Sequence, residues 1–128
     1  MNKKRIQQWI APACQVLEDC GIVENGTVNP SFRSQLSAFG AASIMGSMKS
    51  AAAFFSKQGN ASIHRELLLS AMYCVVVGQY DRVPEPSWVF DYLCKNDSRD
   101  TREAFLDAAV ALKLAMNLFD LGKEDNNG

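Results

Sequence analysis

Apolar side chains recur every three to four residues along most of the chain, from Ile6 to Phe119. That spacing places them on one face of an α-helix, whereas a half-buried strand would alternate apolar and polar residues. No segment alternates for long enough to build a sheet, and the turn signal Asn25-Gly26 lacks β-rich flanks. We therefore predict an all-α fold, a compact bundle of about five to six helices.

Turn and cap residues divide this pattern into segments. Pro12 interrupts the first helix and is expected to kink it or to mark its regular start. A second helix should begin at Asn29-Pro30, because asparagine can accept from a free amide and proline fits the first helical position. Further helices are predicted over residues 49–57 with a cap at Gly59, from a cap at Ser62 through the valines at 75–77, around Trp88, and from Asp100 to Gly122.

Length and composition limit the chain to one domain. It has 128 residues, of which 48% are hydrophobic and 21% charged, an ordinary globular composition. We predict a single helical domain over residues 1–122 and a polar C-terminal tail over residues 123–128. Because no apolar run approaches the roughly 18–20 residues that span a bilayer and no signal-peptide pattern follows the basic start, we expect no membrane contact and a cytoplasmic location.

The four cysteines, Cys14, Cys20, Cys74 and Cys94, form no CxxC pair, and the chain has one histidine. A zinc site of the Cys2His2 type is therefore excluded. We expect reduced thiols that pack in the core and no bound metal.

The charged residues are distributed unevenly along the chain. Residues 25–65 carry four basic residues and no carboxylate, whereas residues 66–128 carry six basic and eleven acidic residues. The first stretch either presents a surface that an anionic polymer can approach, or carries few charges because it is buried. The candidates for nucleic-acid binding are Arg33, Lys49, Lys57 and Arg65, with residues 3–5 as a flexible auxiliary segment.

Six serines recur near these cations at three-to-four spacing: Ser31, Ser34, Ser37, Ser43, Ser47 and Ser50. Small hydroxyl side chains can donate to phosphate oxygens beside a cation. They can equally line a close helix crossing.

No catalytic constellation is recognisable in the sequence. Phosphate-loop and dinucleotide glycine motifs are missing, and the single histidine, His64, is expected to be a surface or cap residue. The carboxylates Asp97, Asp100, Glu103 and Asp107 could hold a divalent cation, or simply form the acidic first turn of a helix. We therefore predict no enzymatic activity, no catalytic residues and no cofactor.

Three segments carry a resemblance to a known family. They are the small-residue helix from Leu36 to Gly46, its continuation from Lys49 to Lys57, and the last helix from Asp100 to Lys113. Together they resemble the small α-helical subunit of type III-B (Cmr) CRISPR effector complexes, over roughly residues 5–120. The positions that look like those of the family are Gly46, Ala51 to Ala53, Phe54, Thr101 and Lys113.

This resemblance implies a non-catalytic protein that stacks in several copies along a ribonucleoprotein built on CRISPR RNA. Its partners would be the other subunits of the effector complex, further copies of itself, the crRNA and the target RNA. A second hypothesis is a small helical adaptor or regulator that binds a protein or a small ligand and no nucleic acid. Its groove would be lined by Met45, Met48, Phe54, Phe55 and Met72, although the same residues can instead pack in the core, which is the favoured explanation.

Overall fold

The computed structural model describes residues 1–56, 64–78 and 83–122. Within these residues the chain forms six helices, which confirms the predicted all-α bundle. They are α1 (Lys3–Asp19), α2 (Ser31–Met45), α3 (Met48–Phe55), α4 (Glu66–Val77), α5 (Pro86–Lys95) and α6 (Arg99–Met116). The predicted caps at Gly59 and Ser62, the candidate Lys57 and the tail at 123–128 lie outside the described residues.

A small three-stranded sheet accompanies the helices, which the sequence analysis did not predict. The strands β1 (Val23–Glu24) and β2 (Thr27–Val28) pair in antiparallel register around Asn25 and Gly26. Both turn residues have positive φ, at 53° and 76°, which is the geometry of a two-residue hairpin turn. The strand β3 (Asp120–Leu121) then pairs with β2 in parallel. Val23, Thr27 and Val28, which flank the turn, are β-branched, so the rejection of a hairpin for lack of β-rich flanks was wrong.

Local hydrogen bonds set the helix boundaries. α1 begins at Lys3, where the Asn2 side chain accepts from the Arg5 amide, and it continues through Pro12 rather than starting there. α6 begins with Ser98 as its N-cap, slightly before the predicted start. Between α2 and α3 the chain turns at Gly46, and the Ser47 hydroxyl then caps α3 by accepting from the Ser50 amide.

All six helices contribute to one hydrophobic core. Its largest fully buried side chains include Phe39, Phe55 and Phe105, and the rings of Phe39 and Phe55 meet edge to face at 5.2 Å between centroids. Aromatic pairs in this arrangement stabilise a core beyond their buried area. The core therefore holds α2 and α3 together, and these two helices carry Arg33 and Lys49.

α2 and α6 run antiparallel to each other. β2 comes just before α2 and β3 just after α6, so the pairing of these strands brings the start of α2 beside the end of α6. A hydrogen bond from Lys113 Nζ to Ser37 Oγ at 2.7 Å joins the two helices near this end. The arrangement places a cation from the acidic half of the sequence among residues of the carboxylate-free stretch.

Candidate nucleic-acid interface

Arg33 and Lys113 line one notch on the protein surface. Arg33 lies in the first turns of α2, and Lys113 lies near the end of α6. Pro30, Ser34 and Ser37 form the rest of the wall. The notch thus combines two cations and two serine hydroxyls, which are the groups that most often contact phosphate oxygens.

Neither cation of this notch forms an ion pair with any carboxylate among the described residues. The Nε atom of Arg33 is shielded from solvent and has no hydrogen-bond acceptor among the described residues, so it is not the atom that a ligand in the notch would contact. The positive charges of the two side chains and the adjacent hydroxyls nevertheless make the notch suitable for an oxyanion.

Lys49 has a different environment from Arg33. Its Nζ lies 3.2 Å from an oxygen of Asp97, and the second oxygen of Asp97 accepts from Arg102 at 3.4 Å. Lys49 and Asp97 each leave 45% of the side chain exposed, so water screens this pair. The stretch without carboxylates in sequence therefore meets a carboxylate in space at this position.

Arg65 packs against the end of α3. Its guanidinium carbon lies 3.9 Å from the centroid of the Phe54 ring, and its Nη2 donates to the Phe54 carbonyl oxygen at 3.1 Å. Stacking and hydrogen bonding to one residue hold an arginine in a fixed orientation. These contacts join the segment before α4 to α3, which is a structural role for Arg65.

The three predicted nucleic-acid-binding residues that the structure describes have different environments and do not form one patch. Arg33 faces the notch, Lys49 pairs with Asp97, and Arg65 stacks on Phe54, while Lys57 lies outside the described residues. Residues 3–5 are not a flexible segment, because α1 begins at Lys3. Arg5 is bound to Asp107 in the same region.

Only part of the serine series is available to a ligand. Ser43 Oγ donates to the Phe39 carbonyl oxygen at 2.8 Å, and Ser47 Oγ donates to Ser50 Oγ at 2.8 Å. The Ser43 hydroxyl is therefore bonded within α2, and the Ser47 hydroxyl is bonded at the N-cap of α3. Ser34 and Ser37 are the two that line the notch. The Ser37 hydroxyl already accepts from Lys113 and donates to the Arg33 carbonyl oxygen at 3.3 Å, so Ser34 is the hydroxyl of the notch that can donate to a ligand.

Lys113 is the residue that the charge analysis missed. It lies in the acidic half of the sequence, and nothing local marks it as a partner of Arg33. The signal that could have found it is the resemblance, which singles out Lys113 as a matching lysine in the last helix.

Three of the four candidate carboxylates near α6 are held by cations of the chain. Asp107 is buried and bound to Arg5, Glu103 accepts from Arg99 at 3.0 Å, and Asp97 is shared by Lys49 and Arg102. No group of three or more metal-type ligands occurs in the part of the chain that the structure describes. The interpretation of these carboxylates as a helix start and a solvated face fits Asp100 and Glu103, which are exposed.

The residues proposed for an adaptor groove do not line one surface. Met48, Phe55 and Met72 are buried in the core, whereas Met45 and Phe54 are exposed. The core explanation thus applies to three of the five residues.

Comparison with protein-family models, with curated proteins and with solved structures gives no match. Among the helices that the structure describes, none combines the length and apolar composition needed to cross a bilayer.

Proposed function

We propose that this chain is a non-catalytic small subunit of a type III-B CRISPR ribonucleoprotein, which stacks in several copies and helps to hold target RNA for antiviral defence. The observation that carries the RNA contact is the notch of Arg33 and Lys113. Two cations from helices far apart in the sequence lie there beside two serine hydroxyls, with no carboxylate partner among the described residues.

Phosphate contact through this notch would position the RNA without selecting its sequence, because phosphates are the same at every nucleotide. This agrees with a subunit that supports a guide RNA, whose base pairing supplies the specificity. The exposed cations Lys49 and Arg102, which share Asp97, are secondary candidates for the same polymer.

The first experiment tests the assembly. The tagged chain, expressed in its native host at its natural level, should co-purify with CRISPR RNA and with the other effector subunits. Retention of the effector subunits with the RNA supports the proposal. Recovery of the chain without CRISPR RNA or these subunits, under conditions in which a tagged backbone subunit recovers both, overturns it.

One observation bears on the small-ligand form of the adaptor hypothesis. The apolar concavity between α2 and α6 has a volume of about 260 Å³. Cavities that enclose drug-sized ligands typically measure about 300–1,000 Å³. At this concavity the size therefore favours a macromolecular partner over a small ligand.

A further inference from the structure

The apolar groove between α2 and α6 is not filled by any described part of the chain. Its floor and walls are formed by Leu36, Gly40, Ile44, Leu106, Ala109 and Val110. Ile44 lies at the edge of the groove with 75% of its side chain exposed, and the next residue, Met45, is 88% exposed. Large apolar side chains exposed beside an apolar groove mark an interaction surface.

Gly40 leaves room in the groove between α2 and α6 for a partner. It lies in the middle of α2, where glycine lowers helix stability relative to alanine. A Cβ atom added at Gly40 would meet no atom within 4 Å. Nothing in the described residues therefore requires the glycine, whereas a partner backbone that approaches the groove closely would require it.

The charges at the two ends of the groove identify the partner. Lys113 lies at one end beside Ser37, and Glu103, which is also on the groove, lies ten residues earlier on α6. Because α2 and α6 are antiparallel, Glu103 is near the end of the groove that holds Ile44. A partner must thus offer a carboxylate at one end and a cation at the other, with an apolar ridge between them.

A second copy of this chain meets that requirement. We infer that the free protein forms a two-fold symmetric dimer through the α2–α6 groove, with the axis near Gly40. A two-fold axis at the centre of the groove exchanges its ends, so Lys113 of each copy faces the partner subunit's Glu103. Ile44 of each copy then enters the opposite groove, and the two glycine backbones approach each other at the axis.

Glu103 already contacts a cation in its own chain. Its Oε1 accepts from Arg99 at 3.0 Å, on a surface where Arg99 is 82% exposed. Such exposed pairs contribute little, and a carboxylate can accept several hydrogen bonds. The intrachain pair therefore leaves Glu103 able to meet Lys113 of a second copy.

This inference concerns the free protein and does not rest on the proposed place in a ribonucleoprotein. The test is sedimentation equilibrium of the purified chain over a concentration series. We expect a concentration-dependent dimer that Gly40→Leu disrupts, because the leucine fills the groove. Leu118→Ser removes an exposed apolar side chain that does not line the groove, and it should leave the dimer intact.

Charge reversal tests the symmetry itself. Glu103→Lys and Lys113→Glu should each weaken self-association by about tenfold or more, because like charges then face each other. The double variant restores opposite charges across a two-fold axis and should recover dimerisation. Lys95→Glu, an exposed reversal on α5, is the matched control and should have no effect.

A wild-type chain that stays monomeric over the whole series overturns the inference. So does a dimer that persists in Gly40→Leu protein with an unchanged helical spectrum, because association then uses another surface. A double reversal that stays as weak as the single ones also overturns it, since the end-to-end exchange of charges is then absent.

Discussion

Arg5 and Asp107 form a partly buried ion pair between the first turn of α1 and the middle of α6, although they lie 102 residues apart in the sequence. Both Nε and Nη2 of Arg5 donate to the Asp107 carboxylate, whose side chain is only 4% exposed. The Arg5 guanidinium also lies 5.1 Å from the centre of the Trp9 ring. The pair thus fixes the N-terminal end of the chain to the longest helix.

Arg5→Gln should lower the free energy of unfolding strongly, because it leaves the Asp107 charge buried without its cation. Breaking a fully buried pair in this way typically costs about 3–5 kcal/mol, and the loss here should be smaller because 30% of the Arg5 side chain is exposed. Urea denaturation followed by circular dichroism measures the change. The matched control is Arg99→Gln, which removes an exposed pair with Glu103 and should cost less than about 1 kcal/mol. Equal losses for the two variants would contradict the structural role of the buried pair.

The same substitution at two glycines should change stability in opposite directions. Gly78 ends α4 with φ of +71°, so Gly78→Ala should destabilise the protein by about 1 kcal/mol. Gly40→Ala should stabilise the monomer by about 0.5–1 kcal/mol, since the added methyl group meets open space and alanine favours the helix. Thermal unfolding of both variants at low protein concentration provides the measurement. A loss of stability at Gly40 would show that its space is already occupied.

The helices were predictable because each buries one apolar face, and the spacing of apolar residues that produces this face can be read from a short segment of sequence. The contacts that define the candidate site are not local. Lys49 meets Asp97, and Arg33 shares its notch with Lys113, only because α2 packs on α6 and α3 on α5. A run of sequence without carboxylates therefore did not predict a surface without carboxylates. The two cations of the notch, Arg33 and Lys113, come from the carboxylate-free stretch and from the acidic part of the sequence respectively.

The contact of Arg65 with Phe54 is also one that the sequence does not predict. In the sequence it is one of four cations in a carboxylate-free stretch, with nothing to separate it from Arg33. In the structure it stacks on Phe54, a neighbour that depends on how α3 and the start of α4 are arranged. Removal of Arg65 should therefore lower the free energy of unfolding more than it lowers the affinity for any ligand.

The four thiols should react at different rates, because none is in a disulfide and their burial differs. A hydrogen bond with Cys74 and burial raise the pKa of the Cys20 thiol, so Cys20 should resist alkylation in the folded protein. Burial, followed by the nearby Glu18 carboxylate, raises the pKa of Cys14. Its alkylation rate should therefore keep increasing at pH values where an ordinary thiol has reached its plateau.

Mass mapping after timed iodoacetamide treatment over a pH series measures these rates. Cys94 is exposed and should be labelled first. Reducing agent should leave the melting temperature unchanged, because no disulfide joins the four thiols. Rapid labelling of Cys20 in the native protein would contradict its buried contact with Cys74.

The isolated chain should show no nuclease activity with magnesium or manganese. The exposed carboxylates Asp100 and Glu103 have no third ligand of metal type grouped with them among the described residues. Incubation of the purified protein with labelled RNA and each cation tests this. RNA cleavage that disappears in Asp100→Ala and Glu103→Ala protein would overturn the non-catalytic proposal.

Removal of the notch cations should weaken RNA binding by the assembled complex and flatten its dependence on salt. Each phosphate contact releases condensed cations, so a lost contact lowers the slope of log K against log salt by about 0.7 on a single strand. We expect this decrease for Arg33→Gln and for Lys113→Gln, and a similar loss of affinity for every RNA sequence. The assay is target-RNA binding by the reconstituted complex at several salt concentrations.

Two comparisons determine which cations contact the RNA in that assay. Lys95→Gln removes one positive charge from exposed surface outside the notch and should leave the slope unchanged. The combined alanine variant of Arg33, Lys49, Lys57 and Arg65 tests the original sequence prediction as a group. If Arg33→Gln alone accounts for most of its effect, the notch is the phosphate contact. If the complex of the Arg33→Gln and Lys113→Gln double variant assembles normally and keeps both affinity and slope, the notch does not bind RNA.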